Sequence, residues 1–347
     1  MSAADTVSRR SLASGYQIPR LIRGGWQLAG DHGPVLAQRA VEDMALFAQA
    51  GLNTFDCADI YTGVEEMIGQ YRLRDPSLQV HTKFVPDLAM LHQVDEAYVR
   101  GVHQRSLQRL HTRRLDLVQF HWWDYAAGDM IGAARHLLTL QREGSLRLIG
   151  GTNFNTEQTQ RMLDAGLPVA TMQVQYSLLD RRPSGPMAAL CAQSGMQLLC
   201  YGTLAGGFLT SAWLGQSEPA LESLSNRSLI KYKLVIDDFG GWTLFQQLLQ
   251  TLAQIAERHG VALSSVATRW VLDQPQVAAA IVGARYAVHL PQMLEVFSLQ
   301  LDQRDLDALA QVLGRSQPLA GDVYDLERDR QGRHGRIMKY NLSQAAA

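Results

Sequence analysis

The chain has 347 residues, of which 46% are hydrophobic and 19% are charged, and its formal net charge is -1. This composition is ordinary for a soluble globular enzyme, and the near-neutral charge argues against a general binder of nucleic acid or of anionic membrane surfaces. The length accommodates one large α/β barrel or two smaller domains.

The cysteines and the N-terminal segment bear on where the protein works. Cysteines at positions 57, 191 and 200 lack the spacing of metal ligands, so reduced thiols in a cytoplasmic protein are the simplest interpretation. No apolar run approaches the length of a membrane span, and we expect no membrane insertion. The arginine pair at positions 9 and 10 resembles an export signal, but no apolar region follows it. Residues 1–16 are therefore predicted to be a disordered lead.

Short apolar strands alternate with amphipathic helices along the rest of the chain. The pattern predicts strands over residues 21–23, 54–56, 78–82, 115–120, 145–150, 169–173, 197–201 and 277–282. It predicts helices over residues 34–51, 65–71, 96–110, 131–143, 156–165, 186–194, 244–259, 263–273 and 303–313. Eight strands separated by helices favour a closed (β/α)8 TIM barrel over an open doubly wound sheet. No Gly-x-Gly-x-x-Gly motif follows the first strand, which also argues against a Rossmann fold.

We expect one barrel domain over residues 17–320, with long loops at the carboxyl ends of its strands, and a tail over residues 321–347. The segment between residues 201 and 244 contains glycines and basic residues. It predicts either a loop that closes over phosphate groups or a solvated surface loop. The tail mixes acidic and basic residues, and it either packs on the barrel or extends into solvent.

Four titratable residues follow buried runs near the ends of predicted strands: Asp56, Tyr61, Lys83 and His121. Because the carboxyl ends of barrel strands converge on one pocket, we expect these side chains to meet. A lysine ammonium near a tyrosine lowers the pKa of the phenol from about 10, and an aspartate keeps the lysine charged. A histidine can hold a carbonyl oxygen or relay its proton. Each residue alone is explained as well by a structural role, but together they predict protonation of a carbonyl oxygen as hydride arrives from elsewhere.

Six short motifs surround these residues in strand order: Asn53-Thr54-Phe55-Asp56-Cys57-Ala58-Asp59-Ile60-Tyr61, Thr82-Lys83, Val118-Gln119-Phe120-His121-Trp122, Gly151-Thr152-Asn153-Phe154, Gln173-Val174-Gln175-Tyr176 and Ile281-Val282-Gly283-Ala284-Arg285. On these motifs, the sequence from about residue 21 to residue 313 resembles the aldo-keto reductase superfamily. The branch that it resembles most includes the voltage-gated potassium-channel β subunits and related bacterial and plant reductases. Residues 225–233 and 255–270 are similar to that branch as well. The resemblance implies a nicotinamide cofactor lying across the carboxyl ends of the barrel strands.

The resemblance also assigns expected contacts by position in the motifs. The nicotinamide carboxamide would bind Thr152, Asn153 and Gln173, and its ring would stack on Tyr201. The pyrophosphate would lie against Leu204, Gly206, Gly207, Arg227 and Lys231, and the 2′-phosphate near Gly283, Ala284 and Arg285. Gly25 and Trp26 complete the predicted cofactor contacts, and the tryptophans that could line a substrate pocket, or equally the core, are Trp26, Trp122 and Trp123. An arginine suits phosphate recognition, so NADPH (NADP+) is favoured and NADH is possible but less favoured.

The sequence departs from the family pattern at two places: residues 286–295 contain no asparagine to hold the adenine, and Gly25 stands where a threonine often precedes the tryptophan. The implied function is NADPH-dependent reduction of an aldehyde or ketone, with Tyr61 as general acid and no metal. An NADP(H)-binding regulatory or sensor subunit with weak catalysis is the alternative. A metal-dependent barrel hydrolase built from His81, His121, Asp56 and Asp59 is disfavoured, because no two histidines are separated by one residue. The physiological substrate and the oligomeric state stay open.

Overall fold

The computed structural model describes residues 6–30, 33 and 35–342. A hairpin of β1 (Arg9–Ala13) and β2 (Tyr16–Pro19) precedes eight further strands. These are β3 (Leu21–Gly24), β4 (Thr54–Asp56), β5 (Gln79–Phe84), β6 (Leu115–Phe120), β7 (Leu146–Thr152), β8 (Val169–Gln175), β9 (Gln197–Tyr201) and β10 (Val277–Gly283). All eight pair in parallel and close into a barrel in the order β10-β3-β4-β5-β6-β7-β8-β9. The TIM barrel predicted from the sequence is confirmed.

The helices cover the outside of the barrel. They are α1 (Ala37–Gln49), α2 (Val64–Arg72), α3 (Glu96–Arg109), α4 (Met130–Arg142), α5 (Thr156–Asp164), α6 (Pro186–Ser194), α7 (Arg227–Phe239), α8 (Gly241–His259), α9 (Leu263–Leu272), α10 (Leu290–Leu294), α11 (Gln303–Leu313) and α12 (Asp325–Arg328). With helices outside and side chains inside, a barrel strand is covered on both faces, and every residue of β6 is buried. None of the described helices is both long and apolar enough to cross a membrane.

Local chemistry sets the helix ends. The side chain of Asp302 accepts a hydrogen bond from the backbone N–H of Asp305, and the Asp305 side chain accepts one in return from the Asp302 backbone, which fixes the start of α11. Gly195 and Gly260 follow α6 and α8 with φ of 76° and 65°, a conformation that glycine adopts without steric cost. The two glycines also predicted the ends of these helices from the sequence.

The hairpin β1-β2 corrects the prediction of a disordered lead over residues 1–16. Leu12, Tyr16 and Ile18 are buried against the interior of the barrel. The Tyr16 hydroxyl lies 3.0 Å from Nε2 of His81. Because barrel interiors are filled by side chains, the amino-terminal end needs such a cover, and the hairpin supplies it. Residues 1–5 lie outside the described part of the chain.

The segment after β9 also differs from the predicted loop, because residues 227–239 form α7. The side chain of Asn226 accepts a hydrogen bond from the backbone N–H of Leu229 and caps the helix. Val235, Ile236 and Phe239 are fully buried and hold α7 on the barrel. The basic residues that predicted a phosphate loop therefore lie on the first turns of a packed helix.

Candidate active site

A cavity of about 400 Å³ opens at the carboxyl ends of the barrel strands. Strand register brings the predicted residues to its floor, since Gly24 pairs with Asp56, and Thr152 pairs with Gln173. The predicted residues that line the cavity are Trp26, Asp56, Tyr61, Lys83, His121, Trp123, Thr152, Asn153, Gln173, Tyr201, Leu204, Gly206, Gly207, Arg227, Lys231 and Gly283. The structure thus brings together all four predicted catalytic residues and most of the predicted cofactor contacts.

Lys83 and Asp56 form a buried ion pair at the floor of this cavity. The Lys83 ammonium donates to Oδ2 of Asp56 and to the carbonyl oxygen of Cys57, both at 2.7 Å. It also lies 5.3 Å from the centre of the Tyr61 ring. Burial by itself would lower the pKa of Lys83, but the Asp56 carboxylate raises it above the ordinary lysine value. The lysine therefore stays charged beside the phenol.

Two glutamines hold the other oxygen of Asp56. Gln119 Nε2 and Gln173 Nε2 donate to Oδ1 of Asp56 at 2.9 and 2.7 Å. Gln173 Nε2 also lies 2.8 Å from Oε1 of Gln119. Gln119 had no predicted role, although it lies two residues before His121 and strand alternation places the two on one face. Gln173, predicted to bind a carboxamide, is already bonded to the aspartate.

Tyr61 lies in the cavity wall, with its ring 5.0 Å from the ring of Trp26. The surrounding protein raises the pKa of Tyr61 to about 12, although Lys83 lowers it. The sequence predicted that the lysine would lower this pKa below its ordinary value. Desolvation of the phenolate outweighs the lysine in this cavity, so the phenol carries its proton at neutral pH.

His121 is held in one tautomer. Its Nδ1 lies 2.9 Å from the carbonyl oxygen of Thr152, and because a carbonyl only accepts, Nδ1 must carry the hydrogen. Burial, the charge of Arg328 and that of Lys83 lower the pKa of His121 to about 3, so the ring is neutral. Nε2 has no hydrogen-bond partner among the described residues. It is therefore an acceptor, suited to a hydroxyl hydrogen rather than to the carbonyl oxygen that the sequence analysis assigned to it.

The wall formed after β9 carries the predicted phosphate contacts. Gly206 has φ of 67°, and a Cβ there would lie 2.7 Å from Cδ2 of Tyr232. Lys231 Nζ lies 5.5 Å from the centre of the Tyr201 ring, and the Tyr201 hydroxyl donates to Oδ1 of Asn153 at 2.8 Å. The positive φ and the packing of Tyr232 therefore both require glycine at position 206.

Four predicted site residues do not line the cavity: Gly25, Trp122, Ala284 and Arg285. Trp122 is fully buried and donates from Nε1 to the carbonyl oxygen of Ala127 at 2.9 Å, so it is a core residue rather than a substrate contact. It points away from the cavity because His121 and Trp123, its neighbours in an extended segment, take the opposite face. At Gly25 a Cβ would lie 2.7 Å from the carbonyl oxygen of Asp56, which explains the glycine by packing.

Arg285 lies beyond the cavity, where its guanidinium is 5.9 Å from the centre of the Tyr286 ring. A second guanidinium, that of Arg39, lies 4.4 Å from the same ring centre. Arg39 comes from α1 and carried no motif in the sequence. The two arginines therefore flank one aromatic ring at the edge of the barrel mouth.

The C-terminal tail supplies site residues that the sequence analysis missed. Tyr324 and Met338 line the cavity. Glu327 is buried, accepts two hydrogen bonds from Arg182 at 3.1 and 3.2 Å, and lies 3.4 Å from Nζ of Lys231. Burial alone would raise the pKa of Glu327, but Lys231 and Arg182 lower it to about 2. No local sequence motif marks Glu327, because its partners Arg182 and Lys231 are both more than 90 positions away along the chain.

No group of three or more His, Cys, Asp or Glu side chains in the described part of the chain could hold a metal ion. The two histidines of the hydrolase alternative lie toward opposite ends of the barrel. His81 bonds Tyr16 at the amino-terminal end of the barrel, and His121 bonds Thr152 at the carboxyl end.

The closed barrel and the cavity at the carboxyl ends of its strands are typical of an α/β barrel enzyme. Comparison with known proteins identifies the family of this enzyme. The profile of the Aldo/keto reductase family matches residues 20–313. The chain therefore belongs to the aldo/keto reductase family, and it is an oxidoreductase that acts on carbonyl or alcohol groups.

Several individual proteins are similar over most of the chain. Aldo-keto reductase YhdN of Bacillus subtilis is 26% identical, over 85% of this chain and 91% of its own length. Protein tas of Escherichia coli is 30% identical, over 72% of this chain and 74% of its own length. A match to flagellar radial spoke protein 5 of Chlamydomonas reinhardtii, at 30% identity, covers only 33% of that protein. The solved glycerol dehydrogenase from Gluconobacter oxydans shares the fold, with a TM-score of 0.78 at 24% identity over 91% of this chain and 98% of that one.

Proposed function

We propose that the protein is an NADPH-dependent reductase that transfers hydride to the carbon of an aldehyde or ketone, with Tyr61 giving its proton to the oxygen. The observation that carries this proposal is the Lys83–Asp56 ion pair, whose ammonium lies 5.3 Å from the Tyr61 ring in the cavity. A protonated phenol beside a fixed cation is equipped to lose its proton to a developing oxyanion.

Each residue of the group has a separate task in this proposal. NADPH, when bound, supplies the hydride. Tyr61 holds the proton, and Lys83 stabilises the phenolate that remains once the proton has left. Asp56 keeps the lysine charged and in place, with Gln119 and Gln173 orienting the carboxylate. His121 accepts a hydrogen bond at Nε2 from the hydroxyl group that forms. Charges fixed in this way need no reorganisation during the reaction.

The residues present fit a dinucleotide phosphate. Gly206 and Gly207 line the cavity without side chains, so this wall leaves room for a phosphate group beside the basic residues. Arg227 and Lys231 line the same wall and would hold the pyrophosphate. The pair of guanidinium groups around Tyr286 supports a 2′-phosphate, which would favour NADPH over NADH.

The proposed substrate is a small carbonyl compound with an apolar or aromatic body. The rim of the cavity beside Tyr61 is formed by Trp26, Ile60, Val85 and Trp123. Aromatic and aliphatic surfaces of this kind exclude water from the reacting carbonyl and favour flat apolar groups.

The test is NADPH consumption by the purified protein with a panel of aromatic and aliphatic aldehydes and ketones, beside NADH. Tyr61→Phe is expected to lower kcat by about 10²- to 10⁴-fold, the usual contribution of a general acid, with NADPH binding retained. Tyr71→Phe is the matched control, because Tyr71 donates to Asp75 at 3.3 Å on α2 and does not line the cavity. Tight NADPH binding without turnover of any carbonyl compound would favour the regulatory subunit instead.

A further inference from the structure

Arg328, on α12 in the C-terminal tail, reaches back to the ends of two barrel strands. Its Nη1 donates to the carbonyl oxygens of Trp122 and Trp123 at 2.5 and 2.6 Å. Its Nη2 donates to the carbonyl oxygen of Asn153 at 2.8 Å. All three acceptors are backbone atoms of the segments that leave β6 and β7 at the cavity.

These acceptors are the chain neighbours of the residues that fix the imidazole. His121 precedes Trp122, and Thr152, whose carbonyl oxygen holds Nδ1 of His121, precedes Asn153. The guanidinium therefore joins the same two segments that the hydrogen bond between His121 and Thr152 joins. Its acceptors lie one and two residues after His121 and one residue after Thr152. Because a guanidinium is planar and rigid, its fork fixes the separation of the two segments as well as joining them.

The guanidinium makes this bridge without a carboxylate partner. No acidic residue in the described part of the chain forms an ion pair with Arg328, and the adjacent Glu327 pairs with Arg182 and Lys231 instead. Arg328 is compensated by carbonyl oxygens and by the ring of Tyr125, whose centre lies 4.0 Å from the guanidinium carbon. Asp325 and Glu327 add a longer-range attraction to this charge, and the backbone carbonyl oxygens are the hydrogen-bond partners that hold the guanidinium in place.

We propose that Arg328 is a positioning residue for His121, locking the ends of β6 and β7 so that the imidazole keeps its hydrogen on Nδ1 and presents Nε2 as an acceptor. The proposal extends the proposed function, since it concerns the residue that would accept a hydrogen bond from the product hydroxyl. It assigns to the tail a part of the active site that the barrel motifs do not contain.

The charges around the imidazole act in the same direction as this geometry. The groups that face His121 are Arg328 from the tail, Lys83 from β5 and the phenol of Tyr324, whose ring is edge-on at 6.0 Å. After burial, the two cations are the causes that lower the pKa of His121 to about 3. Loss of Arg328 would therefore both loosen the imidazole and raise its pKa.

The alternative is that Arg328 only fastens the tail to the barrel. Arg330, two residues along, separates the two roles, because it pairs with Asp124 at 3.2 Å and so fastens the tail to the segment after β6 without bonding the segment after β7. Arg330→Met removes a tail fastening and leaves the bridge. Arg328→Met removes the bridge, and Arg328→Lys keeps the charge but loses the rigid fork.

The experiment measures the tautomer of His121 and the kinetics of the same variants. Histidine-¹⁵N NMR of the full-length protein, with His121→Asn to assign the signals, reports which ring nitrogen carries hydrogen. The wild type and Arg330→Met are expected to show His121 with a protonated Nδ1 and a bare Nε2 throughout pH 5–8. Arg328→Met is expected to show a mixture of tautomers or a pH-dependent signal, and a kcat lower by about 10- to 100-fold, the cost of misplacing a reacting group. NADPH affinity is expected to be unchanged.

Arg328→Lys is expected to fall between the wild type and Arg328→Met, and it keeps the proposal testable if the methionine variant does not fold. Wild-type ¹⁵N signals and wild-type kcat in either Arg328 variant would overturn the proposal and leave Arg328 as a tail fastening. If the wild type reduces no carbonyl compound, the proposed function fails. The NMR comparison still decides whether Arg328 sets the tautomer.

Discussion

Replacing Asp56 by asparagine preserves the shape of the buried cluster but removes the charge that balances Lys83. The two side chains are 6% and 7% exposed, so water cannot replace the lost carboxylate. The asparagine must also place its NH₂ group against either Lys83 or the donating amides of Gln119 and Gln173, all of which are donors. The variant therefore combines an unpaired buried cation with a donor–donor conflict.

The size of the effect follows from the partners that remain. Removing one member of a buried ion pair costs about 3–5 kcal/mol, because the other charge is left without a counter-ion. The Lys83 ammonium keeps one hydrogen bond, to the carbonyl oxygen of Cys57 at 2.7 Å. We therefore expect the free energy of unfolding at pH 7 to fall by the lower end of that range, about 3 kcal/mol.

The loss is expected to shrink as the pH rises. In the wild type, Asp56 raises the pKa of Lys83, so its stabilising contribution is present below the ordinary lysine pKa and is lost above the raised one. In Asp56→Asn, burial lowers the pKa of Lys83 without the carboxylate to oppose it. The unfolded variant then binds more protons than the folded one, and its stability increases with pH. The two proteins should converge between about pH 7 and pH 10.

Urea unfolding at pH 7 and pH 9.5, followed by circular dichroism, measures both quantities. Glu96→Gln is the control, because it breaks an exposed ion pair with Arg100 and should change stability little at either pH. A deficit for Asp56→Asn that is the same at both pH values would refute the reasoning, since it would mean that Lys83 does not depend on Asp56 for its charge.

Three further predictions concern the cavity. Because the pKa of Tyr61 is about 12 and that of His121 about 3, kcat/KM for the carbonyl substrate should show no ionisation of either group between about pH 6 and pH 9, measured in a constant-ionic-strength buffer series. Gly206→Ala should weaken NADPH binding in a fluorescence titration, because its Cβ would meet Tyr232, whereas Gly215→Ala, at φ of 73° with no atom nearby, should leave binding unchanged. Arg285→Ala should raise the Kd for NADPH and leave that for NADH unchanged; equal losses for both cofactors would place the 2′-phosphate elsewhere.

The barrel was predictable because its signals are local. Strand β6 has the predicted bounds, and its buried run is visible in six consecutive residues. Helices α6 and α8 end at glycines that adopt the left-handed conformation. The predicted catalytic residues followed from the same pattern, because the ends of parallel strands in a closed barrel have only one place to converge.

Longer-range packing explains what the sequence analysis missed. The hairpin β1-β2 carries only a few apolar residues, and the reason for its order lies in the barrel end that it covers. The bonds of Arg328 join residues 175 to 206 positions apart, so no window of sequence could associate the tail with β6 and β7. The tautomer of His121 likewise depends on a backbone carbonyl 31 positions away.

The environment of each titratable group at the cavity floor sets a different protonation state. Lys83 stays charged because Asp56 outweighs burial, and Tyr61 stays protonated because burial outweighs Lys83. His121 stays neutral because burial and the charge of Arg328 act in the same direction. In the proposed mechanism, Tyr61 then gives its proton to an incoming oxygen, and Lys83 stabilises the anion left behind. This separation of roles follows from the placement of the side chains, since tyrosine, lysine and histidine at these positions in an open, hydrated site would each titrate near their ordinary values.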